Sequence, residues 1–204
     1  MRDKLIHAAI ERFGKRGFDA VGTREIAAAV DTPMSSITYH FGGKEGLYLA
    51  AAEHIFDHIN DVLGESGVQW PAGDATREQR IEAICTMIRS AGAFMLSEAS
   101  APFALFMGRE QQDPSPKVRQ LMQARIIPIM EALIEQVAIL RPELSESEAK
   151  AASVFLFGMA LTLRHSHASL GILMNQTTFD AATRTMLLDQ LEQSARALLA
   201  GGGT

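Results

Sequence analysis

One segment near the start of the chain, residues 23–47, constrains the fold more than any other part of the sequence. It holds two short helical patterns on either side of a turn at Asp31 and Thr32, and a third helical pattern begins after Gly42 and Gly43. This spacing is what a helix-turn-helix requires to hold one helix in the major groove of DNA. The segment therefore predicts a small helical domain that binds double-stranded DNA.

The rest of the chain also favours helices. Valine and isoleucine alternate with polar residues over no long stretch, so β-strands have little support. Long periodic segments are instead rich in Ala, Leu, Glu, Gln and Arg, which are good helix formers. We expect an all-α protein of about nine helices. The pattern places a three-helix domain at residues 1–47, with the helix-turn-helix over about 22–41, a connecting helix at 44–63 and a second helical domain at 76–200.

Within the first domain, the apolar period predicts helices over residues 2–16, 23–30 and 33–41. Thr23 is expected to be the N-cap of the second helix, because its side-chain oxygen can accept from a free backbone amide. Pro33 is expected to be the first residue of the third helix, where its missing N–H costs nothing.

In the second part of the chain, two capping boxes predict that helices begin at Thr76 and Ser145. Residues 64–75 are rich in Gly and Pro and form the best candidate linker. Pro128 is expected to kink a long helix. The helices predicted here cover residues 76–97, 102–111, 115–140, 145–170 and 179–199.

The charge of the chain is unevenly distributed. The formal net charge is −5, which argues against a protein that is basic as a whole. Residues 1–47 carry seven Lys and Arg against six acids, while the remaining residues carry twelve against eighteen. An acidic body with a less acidic N-terminal part suits a protein whose contact with DNA is local.

The third helix of the first domain has few apolar anchors. Only Ile37 and Phe41 are obvious core residues, so this short helix gains little from burial. Its hydroxyl, imidazole and phenol groups can donate to phosphates or reach base edges. An ordinary helical hairpin is the alternative interpretation. The other residues of the helix are Met34, Ser35, Ser36, Thr38, Tyr39 and His40.

These residues resemble the TetR family of transcriptional regulators. The resemblance covers about residues 2–60, and the segment 101–115 together with Pro128 is similar to the regulatory domain of the CecR-type branch. The family usually has glycine in place of Asp31 and a small polar residue in place of Pro33, but aspartate tolerates left-handed geometry and can keep the turn. The matching residues are Ala8, Ala9, Phe13, Gly17, Phe18, Thr23, Ile26, Ala27, Ile37, Thr38, Tyr39, His40, Phe41, Gly42, Lys44, Glu45 and Leu47.

The resemblance implies a sequence-specific DNA-binding transcriptional regulator, by family default a repressor that a small-molecule effector releases. Its partners would be a palindromic operator in double-stranded DNA and a second copy of the chain. It implies no cofactor, no enzyme activity and no membrane attachment, and the expected location is the cytoplasm. The implied DNA contacts are Thr23, Arg24, Met34, Ser35, Ser36, Thr38, Tyr39, His40 and Lys44.

A palindromic operator requires a two-fold dimer. By resemblance, the last two long helices, at about 146–170 and 179–199, form the interface as a four-helix arrangement. The residues expected there are Leu187, Leu191, Ala195 and Leu198, which recur at helical spacing. The alternative is that this stripe packs within its own chain.

The resemblance also implies an effector cavity in the middle helices. Methionine and phenylalanine provide an adaptable apolar lining for such a cavity, although the same residues equally suit an ordinary core. The expected lining residues are Phe94, Phe103, Phe106, Met107, Met122, Met130, Phe155 and Met159, with Arg164 available to orient a polar group.

A helical metal-dependent enzyme is the main alternative function. His54 and His58 lie one turn apart on the predicted fourth helix, beside Glu53 and Asp57. This spacing can bind zinc, but no third ligand can be placed from the sequence. Cys85 lies in an apolar helical pattern and is expected to be a buried thiol. A helical interaction module that does not contact DNA is the other alternative. No apolar run in the sequence is long enough to span a bilayer.

Overall fold

The structure is a computed structural model that describes residues 1–65 and 68–201. Over these residues the chain forms eleven α-helices and no β-strand, which confirms the all-α class but gives two helices more than expected. In chain order they are α1 (Arg2–Arg16), α2 (Thr23–Ala29), α3 (Ser35–Phe41), α4 (Lys44–Glu65), α5 (Arg77–Leu96), α6 (Ser100–Gln112), α7 (Pro116–Arg125), α8 (Ile127–Leu140), α9 (Glu146–His165), α10 (His167–Leu173) and α11 (Ala181–Ala200).

The two additional helices arise because two predicted long helices are each divided. The expected kink near Pro128 is a complete break between α7 and α8, since proline cannot donate a helical hydrogen bond and its ring crowds the preceding turn. The second break lies at Ser166, which has φ −98° and ψ 14° and separates α9 from α10. Neither proline nor glycine lies beside Ser166, so the sequence carries no strong signal for this break.

Both predicted capping boxes are present. Thr76 accepts from the backbone N–H of Gln79 at 3.2 Å, and the Gln79 side chain accepts from the Thr76 N–H at 2.8 Å. Ser145 and Glu148 make the same reciprocal pair at 3.3 and 2.8 Å. These bonds satisfy amide groups that the first helical turn leaves free, and they begin α5 and α9 where the sequence predicts.

The starts of α2 and α3 differ from the prediction. Thr23 is the first helical residue of α2, and Gly22 takes the N-cap position without a side-chain hydrogen bond. Pro33 precedes α3 by two residues. The Ser36 N–H donates to Pro33 O and the Ile37 N–H to Met34 O, both at 3.0 Å, so a tighter turn with i→i−3 bonds comes before the α-helix.

The chain divides into two compact units. Unit 1 comprises residues 1–60 and 99–126, and unit 2 comprises residues 61–98 together with the chain from residue 127 onward. Unit 1 therefore contains α6 and α7 in addition to the helix-turn-helix. The core of unit 1 includes Leu5, Ile10, Phe13, Ile26, Ile37, Leu47, Ile55, Phe56 and Phe106, all nearly inaccessible to solvent.

Unit 2 is built around α5, which packs against α8, α9 and α11. Gly92 of α5 permits the close approach of α11, because a Cβ atom there would lie 2.5 Å from Leu191 Cδ2. Buried Arg80 donates to Gln136 Oε1 at 2.6 Å and to Gly73 O at 2.8 Å, so its charge is compensated by hydrogen bonds. None of the helices described combines the length and the apolar character that crossing a bilayer requires.

Candidate nucleic-acid interface

The turn between α2 and α3 is held by local hydrogen bonds. Asp31 has φ 50° and takes the left-handed conformation that aspartate tolerates, so the residue that replaces the usual glycine keeps the turn. The Thr32 N–H donates to Ala27 O at 3.1 Å. The hydroxyl oxygens of Thr32 and Ser36 lie 3.0 Å apart, which joins the turn to the first helical residues of α3.

Helix α3 is buried on one side only. Ile37 is 1% exposed and is the one buried residue of the helix. Met34, just before the helix, is 48% exposed and Tyr39 is 85% exposed. Ser35, Thr38 and His40 are also exposed, whereas Ser36 and Phe41 are half-buried. A helix with a single buried anchor and an outer face of hydroxyl, phenol and imidazole groups is suited to polar recognition.

The end of α3 is fixed by a close approach to α4. Gly42 has φ 73° and ψ 0°, and its N–H donates to Thr38 O at 2.9 Å. Gly46, in the first turn of α4, has no room for a side chain, because a Cβ atom there would lie 1.8 Å from Phe41 O. Only glycine fits this site without moving one of the two helices. Gly46 is not among the residues predicted from the sequence, although a glycine inside the first turn of a helix is a usable signal.

Lys44 begins α4 beside the loop between α1 and α2. Its Nζ lies 3.4 Å from Asp19 O and 4.4 Å from the centroid of the Phe18 ring. A cation over an aromatic face is held in place while it keeps hydrogen-bond donors for a further partner. Lys44 and Thr23 are half-buried, and Arg24 is exposed on α2.

Two further arginines of unit 1 hold α1 and α2 together. Glu25 of α2 forms an ion pair with Arg16 and a second one with Arg12, whose Nε lies 3.4 Å from Glu25 Oε1. The hydrogen bond from Arg16 is the main reason why the pKa of Glu25 lies below its usual value. The charges of Arg12 and Arg16 are therefore used inside the unit, which leaves Arg24 and Lys44 as the cations nearest to α3 in sequence.

Helix α6 is joined to α1 and α4 by hydrogen bonds within unit 1. Arg109 donates to the carbonyl oxygens of Gly14 and Lys15, each at 3.0 Å, and so satisfies free carbonyls at the end of α1. Buried Glu110 accepts from the Tyr48 hydroxyl and from the Ser115 N–H at 3.2 Å. Burial, followed by the Glu110 hydrogen bond, raises the pKa of Tyr48, which therefore acts as a donor.

The residues expected to line an effector cavity are divided between the two units. Phe103, Phe106, Met107 and Met122 belong to unit 1, whereas the other five belong to unit 2. Phe106 is 1% exposed and lies 4.8 Å from the Tyr48 ring between centroids, so it is part of the unit 1 core. In unit 2, Phe94, Met130 and Met159 pack against the core while Phe155 is 65% exposed. Arg164 donates to Met95 O at 2.8 Å and Ser97 O at 2.6 Å, which caps the end of α5.

The residues expected at the dimer interface lie on the inner face of α11. Leu187, Leu191 and Ala195 are buried in the core of unit 2, and Leu198 is half-buried against it. This is the packing within one chain that the sequence left open as an alternative. The outer face of α11 carries Met186, which is 42% exposed, in a shallow groove lined also by Ala181, Ala182, Thr185, Asp189, Gln190 and Gln193.

The two histidines considered for a metal site pack against other aromatic rings. His54 lies 4.8 Å from His7 between ring centroids, and His58 lies 5.3 Å from Phe103. Within residues 1–65 and 68–201 no group of three or more His, Cys, Asp or Glu side chains is arranged to hold a metal ion. Cys85 is 1% exposed, and burial raises the pKa of its thiol to about 11.

Two family models match the chain. Residues 5–51 match the bacterial regulatory proteins of the tetR family, and residues 77–202 match the C-terminal domain of the HTH-type transcriptional dual regulator CecR. The HTH-type transcriptional dual regulator CecR of Shigella flexneri is 32% identical over 145 residues, which cover 67% of this chain and 63% of that protein. The biofilm operon icaADBC HTH-type negative transcriptional regulator IcaR of Staphylococcus aureus is 33% identical over 63 residues, which cover 31% of this chain and 34% of that protein. The chain thus spans less than two thirds of the length of these relatives, and their names describe regulators, not enzymes.

Solved structures share the fold. AibR, crystallised in complex with isovaleryl coenzyme A and operator DNA, has a TM-score of 0.70 at 16% identity, over 95% of this chain and 96% of that one. The fatty acid degradation regulator FadR from Bacillus halodurans has a TM-score of 0.65 at 18% identity, over 98% and 95% of the two chains. At these identities the similarity establishes the fold alone.

Proposed function

Because this chain belongs to the TetR family of bacterial regulatory proteins, in its CecR-type branch, we propose that it is a sequence-specific DNA-binding transcriptional regulator of the cytoplasm. The observation that carries the proposal is the geometry of α3. This helix is anchored by Ile37, is fixed at its end by the contact between Gly46 and Phe41 O, and exposes polar groups along its outer face. A rigid helix with a polar outer face is what reading a major groove requires.

The proposed DNA contacts divide into two kinds. Met34 and Thr38 approach base edges, Met34 through the methyl group of a thymine. Tyr39, His40 and Lys44 bind phosphates, which sets the position of α3 but carries no sequence information. The remaining proposed contacts are Thr23, Arg24, Ser35 and Ser36, and the exposure of Arg24 and Ser35 supports this assignment.

The operator is proposed to be palindromic and to be bound by a homodimer. Recognition helices of such a dimer lie about 34–36 Å apart, or a multiple of that distance. The buried stripe Leu187, Leu191 and Ala195 cannot face a partner unless the core opens, so the outer faces of α9 and α11 are the proposed interface. Phe155 on α9 and Met186 on α11 support this choice, because both are large apolar side chains exposed to solvent, which often mark an interaction surface.

The regulator is proposed to repress transcription and to release DNA when a small molecule binds. Repression is supported by the similarity to IcaR, which is named a negative regulator. Control by a small molecule is supported by the similarity to AibR, which was crystallised with both isovaleryl coenzyme A and operator DNA. The cavity is proposed to lie within unit 2, where Phe94, Met130 and Met159 pack against the same core. The ligand would act by shifting a population between a DNA-competent and an incompetent state of the dimer.

The proposal is tested by mobility-shift binding to the DNA upstream of the protein's own gene and its neighbours, with and without candidate small molecules. A regulator should bind one fragment far more tightly than random duplex, with an affinity that falls steeply as salt rises. An enzyme or a protein-binding module should show neither behaviour. Binding that is weak, non-selective and insensitive to salt would exclude the proposed function.

A further inference from the structure

The partners of the basic side chains single out a small group of free cations. Most Lys and Arg residues have an acidic side chain or a backbone carbonyl as a partner, such as Arg16 on Glu25 and Arg109 on Gly14 O. Over the part of the chain that the structure describes, four have neither. They are Arg2, Lys4, Arg24 and Arg119, and three of these four lie on α1 and α2.

Arg2 lies directly beside the end of α3. Its guanidinium carbon is 5.6 Å from the centroid of the Phe41 ring, and Phe41 is the last residue of α3. The rings of Tyr39, His40 and Phe41 form a row, with centroids 5.0 Å apart for the first pair and 6.1 Å for the second. Arg2 therefore continues the row of side chains that includes the two proposed phosphate contacts Tyr39 and His40.

We infer that Arg2 is a further DNA contact and that it binds a backbone phosphate beside the groove that receives α3. The inference rests on the proposed function. An arginine stacked on a ring keeps its N–H groups in the plane of the guanidinium, where they can pair with two phosphate oxygens. Because Arg2 has no acidic partner among the described residues, binding DNA breaks no ion pair within the protein.

Phe41 acts as a positioning residue for Arg2. The ring supports the guanidinium on one face and restricts where the N–H groups point. Replacing the ring with an aliphatic side chain of similar size should therefore weaken the Arg2 contact without removing the charge. The effects of the Arg2 and Phe41 substitutions should be smaller together than the sum of the two, since both remove the same interaction.

The chain supplies a matched control on the same helix. Lys4 is exposed and unpaired like Arg2. It lies two residues further along α1 and therefore points to a different face of the helix. Arg2→Gln and Lys4→Gln change the net charge equally. A difference between them therefore reports position and not the total charge of the protein.

The experiment measures the affinity of the full-length protein for random duplex DNA, and for any upstream fragment it selects, over a series of salt concentrations. Arg2→Gln should weaken binding roughly tenfold on both DNAs and lower the slope of log affinity against log salt by about 0.9 for each protomer that contacts DNA. Arg2→Lys should restore most of the slope but less of the affinity, and Phe41→Leu should give a smaller loss that is absent when Arg2 is already Gln. Lys4→Gln should match the wild type, and the melting temperature of Arg2→Gln should be unchanged.

Two results would overturn the inference. One is an Arg2→Gln variant with the wild-type slope, and the other is an equal loss in Lys4→Gln, which would mean that net charge alone matters. A wild-type protein that shows no salt-dependent DNA binding would instead refute the proposed function. The two failures are therefore distinguishable within one titration series.

Discussion

Tyr48 of α4 donates the hydrogen bond of its phenol to Glu110 of α6, and both side chains are buried. The second oxygen of the same carboxylate accepts from the Ser115 N–H just before α7. The Tyr48 ring also lies 5.0 Å from the ring of Phe13 on α1, measured between centroids. One buried pair thus joins four helices of unit 1, including the helix that follows directly after α3.

Tyr48→Phe should destabilise unit 1, because it leaves a buried carboxylate oxygen without its donor while the ring packing is kept. The expected loss is about 1–3 kcal/mol in the free energy of unfolding. Urea unfolding followed by circular dichroism measures it. Glu110→Gln should also destabilise unit 1, since the amide keeps one acceptor oxygen for two donors, the Tyr48 hydroxyl and the Ser115 N–H, and the double variant should cost less than the sum of the two. Strictly additive losses would contradict a direct bond between these side chains.

Gly46→Ala should disrupt the contact between α3 and α4, because the new methyl group would lie 1.8 Å from Phe41 O. We expect a loss of about 3 kcal/mol or more in stability, together with a large loss of DNA affinity. Gly64→Ala is the control on the same helix, since a Cβ atom at Gly64 meets no atom within 4 Å. That substitution should stabilise the protein by about 0.5–1 kcal/mol through helix propensity. Equal behaviour of the two alanine variants would show that the helix junction tolerates a side chain.

Local features of this fold are predictable from the sequence, whereas contacts between distant helices are not. The capping boxes at Thr76 and Ser145 were predicted correctly, because each depends on residues three positions apart. The break at Ser166 was missed, and so was the packing of α6 with α1, since neither leaves a local pattern. Arg109 illustrates the difficulty, because its backbone partners in α1 lie more than ninety positions away in the sequence.

The candidate site shows the same division. The small number of apolar residues in α3 could be recognised from the sequence, and Ile37 is the one buried residue of this helix. The ion pairs that Glu25 makes with Arg12 and Arg16 were missed, because charges on two helices become neighbours only after the helices pack. A stripe such as Leu187 and Leu191 has the right period for any buried face, so periodicity could not decide between a dimer interface and the core of the same chain.

Acidification should destabilise unit 1 through His54. Burial lowers the pKa of His54, and the neighbouring His7 and His58 lower it further, while Asp3 and Asp57 act in the opposite direction. A histidine whose pKa is lower in the folded state stabilises the fold above its unfolded pKa of about 6.5, and this stabilisation is lost as the pH falls below that value. Thermal unfolding between pH 7 and pH 5 should therefore show a falling midpoint.

The His54→Gln variant should show a smaller fall in midpoint over the same pH range, because glutamine does not titrate. A suitable control is His165→Gln in unit 2, where the imidazole is exposed and lies 2.9 Å from a carbonyl oxygen of its own helix. An unchanged pH dependence in His54→Gln would assign the acid sensitivity to other groups.

Lys44→Glu should weaken binding to every DNA sequence, because it replaces a proposed phosphate contact with a repelling charge. The expected loss is more than tenfold at low salt, and it should shrink as salt screens the charges. Lys15→Glu on α1 makes the same change of net charge at an exposed residue outside the proposed DNA contacts and the proposed dimer interface, and it should leave DNA affinity close to that of the wild type. If both variants lose affinity equally, Lys44 is not a specific contact.

Substitutions on the outer faces of α9 and α11 and on the inner face of α11 should have different consequences. Met186→Glu and Phe155→Glu place charges on exposed apolar positions, so each should shift the dimer towards monomer while the fold and the melting temperature of the monomer persist. Leu191→Ala on the inner face should instead cost about 2–5 kcal/mol of stability, since it leaves a cavity in the core beside Gly92. Sedimentation velocity separates the two effects from each other. If the outer-face variants remain dimeric at micromolar concentration, then the partner chain packs on another surface, and operator binding by these variants should also stay at the wild-type level.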